Sequence, residues 1–86
     1  MRVVYAPPDA DEASGIHGAY AIGKKVGNAV VRNRIRRRLR AILDASDDRM
    51  MPGYYLIKCS IETGSLTYDE LRRHLERAVE RAGVLL

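Results

Sequence analysis

The sequence predicts an α+β domain: a small sheet of about three strands with two packed helices, in the order β-β-α-β-α. Three observations carry that prediction. Short runs rich in β-branched and aromatic residues, bounded by turn residues, fall at Met1–Ala6, Gly18–Val26 and Tyr54–Ser60. Two longer segments repeat their apolar residues at three- and four-residue spacing, the mark of a helix with one buried face. The chain has 86 residues, 47% of them hydrophobic, which is enough for one small core and too short for two. Residues 1–86 are therefore expected to form a single domain.

In chain order, Met1–Ala6 reads as a strand that Pro7-Pro8 ends, and Asp9 to Gly15 is an acidic, polar loop. Gly18–Val26 reads as a second strand, with Tyr20 and Ile22 on one face and Ala19 and Ala21 on the other. A loop of this kind suggests that the two strands pair antiparallel. Gly27-Asn28 breaks the second strand, and Asn28 can cap a helix by accepting from an orphan amide of its first turn. Val31, Ile35, Leu39, Ile42 and Leu43 then form one apolar stripe, which fades near Ala45. Met50-Met51-Pro52-Gly53 closes the loop that follows, Tyr54–Ser60 is the third strand, and Thr63-Gly64-Ser65 is a turn. Thr67 and Glu70 have the spacing of a capping box. The helix they open buries Leu71, Leu75, Ala78, Val79 and Ala82 and ends at Gly83. Its outer face mixes arginine with glutamate, the pattern of a solvated face.

Several chemistries are not supported. Cys59 is a lone cysteine in an apolar strand and reads as a small buried hydrophobe. His17 and His74 stand far apart, and no Cys/His cluster has metal-ligand spacing. Gly23-Lys24-Lys25-Val26-Gly27 lacks the Gly-Lys-Ser/Thr ending of a nucleotide-binding phosphate loop. No apolar run reaches membrane-spanning length and no signal peptide is visible, so a cytoplasmic location is expected.

Charge is the most informative property. The net charge is +4, yet Lys24 to Arg40 holds eight basic residues and no acid. That leaves seven basic against eleven acidic residues elsewhere, a net of −4. A mildly acidic chain with one segment of charge +8 carries a localised anion-binding surface. At about 100° per residue, Asn33, Arg36, Arg37 and Arg40 share one sector roughly 100° wide, away from the apolar stripe. Arg34 and Arg38 extend it at one edge, and Arg32 lies at the other edge, beside the stripe. Arginine suits phosphate because its planar fork donates two parallel hydrogen bonds. Asn33 could reach a sugar hydroxyl or base edge, and Lys24 and Lys25 add charge before the positive end of the helix dipole. A solvated face would mix both signs, and a membrane-surface helix would present Trp, Phe or Leu. The chain has no Trp or Phe, and its stripe fits a core. A surface that binds a polyanion is the reading that remains.

The run Lys24-Lys25-Val26-Gly27-Asn28-Ala29-Val30-Val31-Arg32-Asn33-Arg34-Ile35-Arg36-Arg37-Arg38-Leu39-Arg40 closely resembles the signature of the bacterial ribonuclease P protein subunit. The resemblance extends from about Val3 to Leu85 and takes in the Gly-Tyr-Tyr-Leu-Ile strand and the Leu66-Thr67-Tyr68-Asp69-Glu70-Leu71 start of the last helix. It implies a protein that binds a catalytic RNA and helps it remove the 5′ leader of precursor tRNA. The RNA and its magnesium ions would perform the hydrolysis, with no catalytic residue and no bound metal in this chain. Carried over by position, Arg32, Asn33, Arg34, Arg37 and Arg40 would contact the RNA, with Lys24 and Lys25 beside them. Tyr5 would stack a leader base in a cleft on the sheet, or else pack in the core. The resemblance also implies that the helix joins two parallel strands by an unusual left-handed crossover, against the usual hand. The resemblance implies a leading helix and strand before the segment that matches Met1, and a chain starting at Met1 would depart from that pattern through a wrong start, a truncation or a natural minimal form. The leader cleft would then be incomplete, and the uncovered sheet edge could pair with another copy. The alternative to this family is a different RNA-binding module, such as a ribosome-associated protein, with a similar helix.

Overall fold

The computed structural model describes residues 1–9 and 15–86. Its strands are β1 (Arg2–Ala6), β2 (Ile16–Ala21) and β3 (Gly53–Lys58), and its helices are α1 (Ala29–Ala45) and α2 (Tyr68–Ala82). The order β-β-α-β-α is that expected. Most of the predicted Asp9–Gly15 loop, residues 10–14, lies outside the described residues.

The pairing of the strands corrects the sequence reading. β1 and β2 do not pair with each other. β3 lies between them, antiparallel to β1 (Tyr5 opposite Tyr55) and parallel to β2 (Tyr20 opposite Ile57). The strand with the strongest apolar run takes the central place, where both of its edges are bonded, and α1 supplies the long crossover that a parallel pair needs. The parallel arrangement is the one the family resemblance implies. The second strand is also shorter than Gly18–Val26. It ends where β3 ends, with Cys59 N–H donating to the Ala21 carbonyl at 3.0 Å. Lys24–Val26 then forms a 3-10 turn that drops Val26 into the core.

Both helices cover one face of the sheet. The core there is built from Ile35, Leu39, Ile42 and Leu43 of α1, Leu71, Leu75 and Val79 of α2, and Tyr55 and Ile57 of β3. Ala78 is buried as well, and Val31 and Ala82, the remaining helix positions of the predicted stripes, are half-buried against the core. Cys59 is likewise half-buried, and burial pushes its thiol up. On the opposite face Val4, Ala6, His17, Ala19, Ala21, Tyr54 and Lys58 are exposed. Both α-helices end as their sequences specify. Asn28 Oδ1 accepts from Val31 N–H at 2.9 Å, the Thr67–Glu70 capping box is complete, and Gly83 takes the left-handed conformation at φ 71°.

Candidate nucleic-acid interface

α1 runs unbroken for 17 residues, so the angular separation read from the sequence holds in space. Ile35, Leu39, Ile42 and Leu43 are buried, while Asn33, Arg37 and Arg40 are exposed on the other side. Arg32, Arg34, Arg36 and Arg38 are half-buried along the flanks. The stripe thus fixes the helix on the sheet and aims the arginines outward.

None of these arginines enters an ion pair among the described residues; the three ion pairs there all lie on α2. Their contacts are weaker. Arg36 donates to Asn33 Oδ1 at 2.9 Å, and Arg38 lies 5.9 Å from the centre of the Tyr68 ring. The Nε atoms of Arg32 and Arg34 are shielded from solvent and have no partner among the described residues. Burial pushes the Tyr20 phenol up, and the nearby Arg40 guanidinium partly opposes the shift. Among the described residues the surface is therefore cationic and uncompensated, with most guanidinium donors free for an anion.

Lys24 and Lys25 are exposed on the 3-10 turn that precedes α1. A second 3-10 turn, Ile61–Ser65, packs against it and against α1. Gly64 makes this contact feasible, because a β-carbon there would collide with the Val26 carbonyl oxygen. The lysines are thus held beside the start of the arginine helix, as the sequence suggested.

Tyr5 is placed elsewhere. It points to the helix-covered face, its ring 5.0 Å from that of Tyr55, and its hydroxyl donates to the Pro52 carbonyl at 2.6 Å. The open face instead carries His17 and Tyr54, stacked with ring centres 5.2 Å apart and planes 28° from parallel. Lys58 and Arg2, opposite each other in the register, stand on the same face. Sequence reasoning missed His17 and Tyr54. Strand alternation puts Tyr54 and Tyr55 on opposite faces but does not say which face is covered.

Residues 1–83 match the family model described as Ribonuclease P. Ribonuclease P protein component of Symbiobacterium thermophilum is 40% identical over 67 residues, covering 77% of this chain and 58% of that protein. Its counterpart in Ruegeria pomeroyi is 45% identical over 84 residues, covering 94% of this chain and 67% of that protein. A solved structure of Staphylococcus aureus RNase P protein superposes with a TM-score of 0.85 at 21% identity, covering 98% of this chain and 75% of that one. That likeness shows a shared fold. The chain spans 58% and 67% of the length of the Symbiobacterium and Ruegeria proteins and 44% of a Thermus scotoductus one.

Proposed function

The chain belongs to the ribonuclease P protein family, and from that premise we propose that it is the protein component of a ribonuclease P, docking on the catalytic RNA through α1 and assisting removal of the 5′ leader from precursor tRNA. The observation that carries this reading is the one-sided helix. Lys24 to Arg40 holds eight basic residues and no acid, and its six arginines stand on the outer side and flanks of a helix whose other side is a buried stripe. Such a surface suits a phosphate backbone. On this reading the RNA cleaves the bond and would hold the magnesium ions of the reaction.

The leader strand would lie on the open face of the sheet. There the stacked His17–Tyr54 pair offers a sequence-tolerant platform for a base, and Lys58 and Arg2 offer charge to the backbone. Tyr5, on the covered face, would support the platform from beneath rather than touch RNA. The outer edge of β1 has no strand partner among the described residues, and pairing of two copies through it is a secondary proposal, checked by sedimentation at high concentration. No helix is long and apolar enough to cross a membrane, and the proposed work is in the cytoplasm, where the RNA partner is made.

The test is reconstitution. The chain is mixed with a bacterial ribonuclease P RNA and precursor tRNA at low magnesium, with a full-length family member as positive control. Faster release of the leader is expected. No acceleration in a mixture where the control succeeds would overturn the proposal.

A further inference from the structure

The C-terminal helix mixes both charge signs in sequence but separates them in space. At about 100° per residue, Asp69, Glu76 and Glu80 fall in one narrow band, and Arg73, Arg77 and Arg81 follow one another at four-residue steps in the next, with His74 beside them. The acidic band faces α1, where Glu76 and Glu80 line a groove with Ile42, Leu43 and Ser46. The basic band faces away. Its only acid, Glu70, already accepts from the Thr67 backbone N–H at 2.9 Å as part of the capping box.

The basic band is also largely unneutralised. Asp69 pairs with Arg72 at 2.6 Å and reaches Arg73 at 3.3 Å, and Glu76 pairs with Arg72 at 3.0 Å. Arg77 enters no ion pair among the described residues, and Arg81 makes only a long contact, 3.5 Å, to the Met1 carbonyl. Arg73, His74 and Arg77 line a shallow polar depression with Glu70. A solvated helix face gains from alternating signs along it. Here Glu76 and Glu80 are instead gathered on the side of α2 that lines the groove with α1.

We propose that α2 carries a second, separate phosphate-binding surface, formed by Arg73, Arg77 and Arg81 with His74, so that the protein bridges two backbone segments of its RNA rather than docking on one. The proposal rests on the reading of the partner as RNA. Four-residue spacing puts neighbouring side chains about 5–6 Å apart on a helix surface, so the three guanidinium groups form a short track along one strand. The acidic band keeps the two RNA segments apart and discourages a single strand from wrapping both helices.

The experiment compares the whole chain with two exposed-surface triples, Arg73→Gln/Arg77→Gln/Arg81→Gln on α2 and Arg36→Gln/Arg37→Gln/Arg40→Gln on α1. Glutamine keeps helix propensity, and circular dichroism checks the fold. Binding to a bacterial ribonuclease P RNA is titrated across KCl, and the RNA is footprinted with hydroxyl radicals. The α2 triple should bind about 10- to 100-fold more weakly, its salt slope should fall by roughly two units, and one protected segment should be lost that the α1 triple leaves protected. Arg77→Glu alone should weaken binding more than Arg77→Gln. Unchanged affinity and slope in the α2 triple, or loss of the same segment from both triples, would overturn the inference alone. Failure of the unaltered chain to bind the RNA would overturn the functional reading and this inference together.

Discussion

Arg37 is the plainest test of the interface at the scale of one residue. It is exposed, lies in the basic sector and makes no ion pair or side-chain hydrogen bond among the described residues. Arg37→Ala should therefore leave stability almost unchanged and flatten the salt dependence of RNA binding by roughly one phosphate contact. An unchanged slope removes Arg37 from the contact surface. The two tyrosines of the sheet make a paired prediction. Tyr54 is 37% exposed on the open face, whereas Tyr5 packs on Tyr55 behind it. Tyr54→Ala should cost affinity for a single-stranded leader, about 1–3 kcal/mol if one base stacks there, with little change in melting temperature. Tyr5→Ala should do the reverse, because it removes core contacts and the hydroxyl bond to Pro52. If Tyr5→Ala instead weakened leader binding in a fully folded protein, the assignment of faces would be wrong.

At the scale of the element, the helices were legible in the sequence and the sheet was only half so. Asn28, the Thr67–Glu70 box and Gly83 act within one turn of themselves, so local spacing determines their partners. Strand partners are non-local. Nothing near β1 or β2 specifies that β3, more than thirty residues further on, will pass between them, and a loop alone made an antiparallel pair the natural guess. For the same reason the basic helix face was readable while the His17–Tyr54 platform was not, since its two rings come from different strands. The cap of α2 supports a pH prediction. The hydrogen bonds between Glu70 and the Thr67 backbone and side chain hold the Glu70 carboxyl below its ordinary value, and the Arg72 guanidinium does the same for Asp69. A carboxyl depressed on folding contributes stability that is present above its unfolded value, 4.5 for Glu70, and is lost as pH falls through the folded one. Glu70→Gln can keep the box without the titrating charge, so its melting temperature should drop less than that of the parent chain between pH 6 and pH 3. An equal drop in both would mean that the acid sensitivity arises elsewhere. Thr67→Ala, which removes the other half of the box, should cost about 1 kcal/mol at neutral pH.

At the scale of the whole molecule, the arrangement separates stability from binding by charge. The core is apolar on one side of the sheet, while the +8 segment is carried on the 3-10 turn at Lys24–Val26 and on the outer side and flanks of α1, with no ion pair to neutralise it among the described residues. The free protein therefore holds a self-repelling surface that an anionic partner relieves. Added salt should act on its two properties with opposite signs. The screening length shortens from about 30 Å at 0.01 M salt to about 10 Å at 0.1 M, which weakens repulsion between arginines spread over several helix turns. The melting temperature of the free chain should rise across that range. A relief of about 1 kcal/mol corresponds to roughly 4–8 °C in a domain of this size. Phosphate at equal ionic strength should raise it further, because it binds the folded surface as well as screening it. RNA affinity should fall over the same range, since each neutralised phosphate releases counterions that salt drives back. Arg36→Gln/Arg37→Gln/Arg40→Gln removes part of the repulsion, so it should begin with a higher melting temperature at low salt and gain less as salt is added. If the melting temperature of the unaltered chain fell from 0.01 M to 0.1 M KCl, attraction between the basic segment and the acidic remainder would outweigh repulsion within the segment, and the surface would not be strained in the absence of its partner.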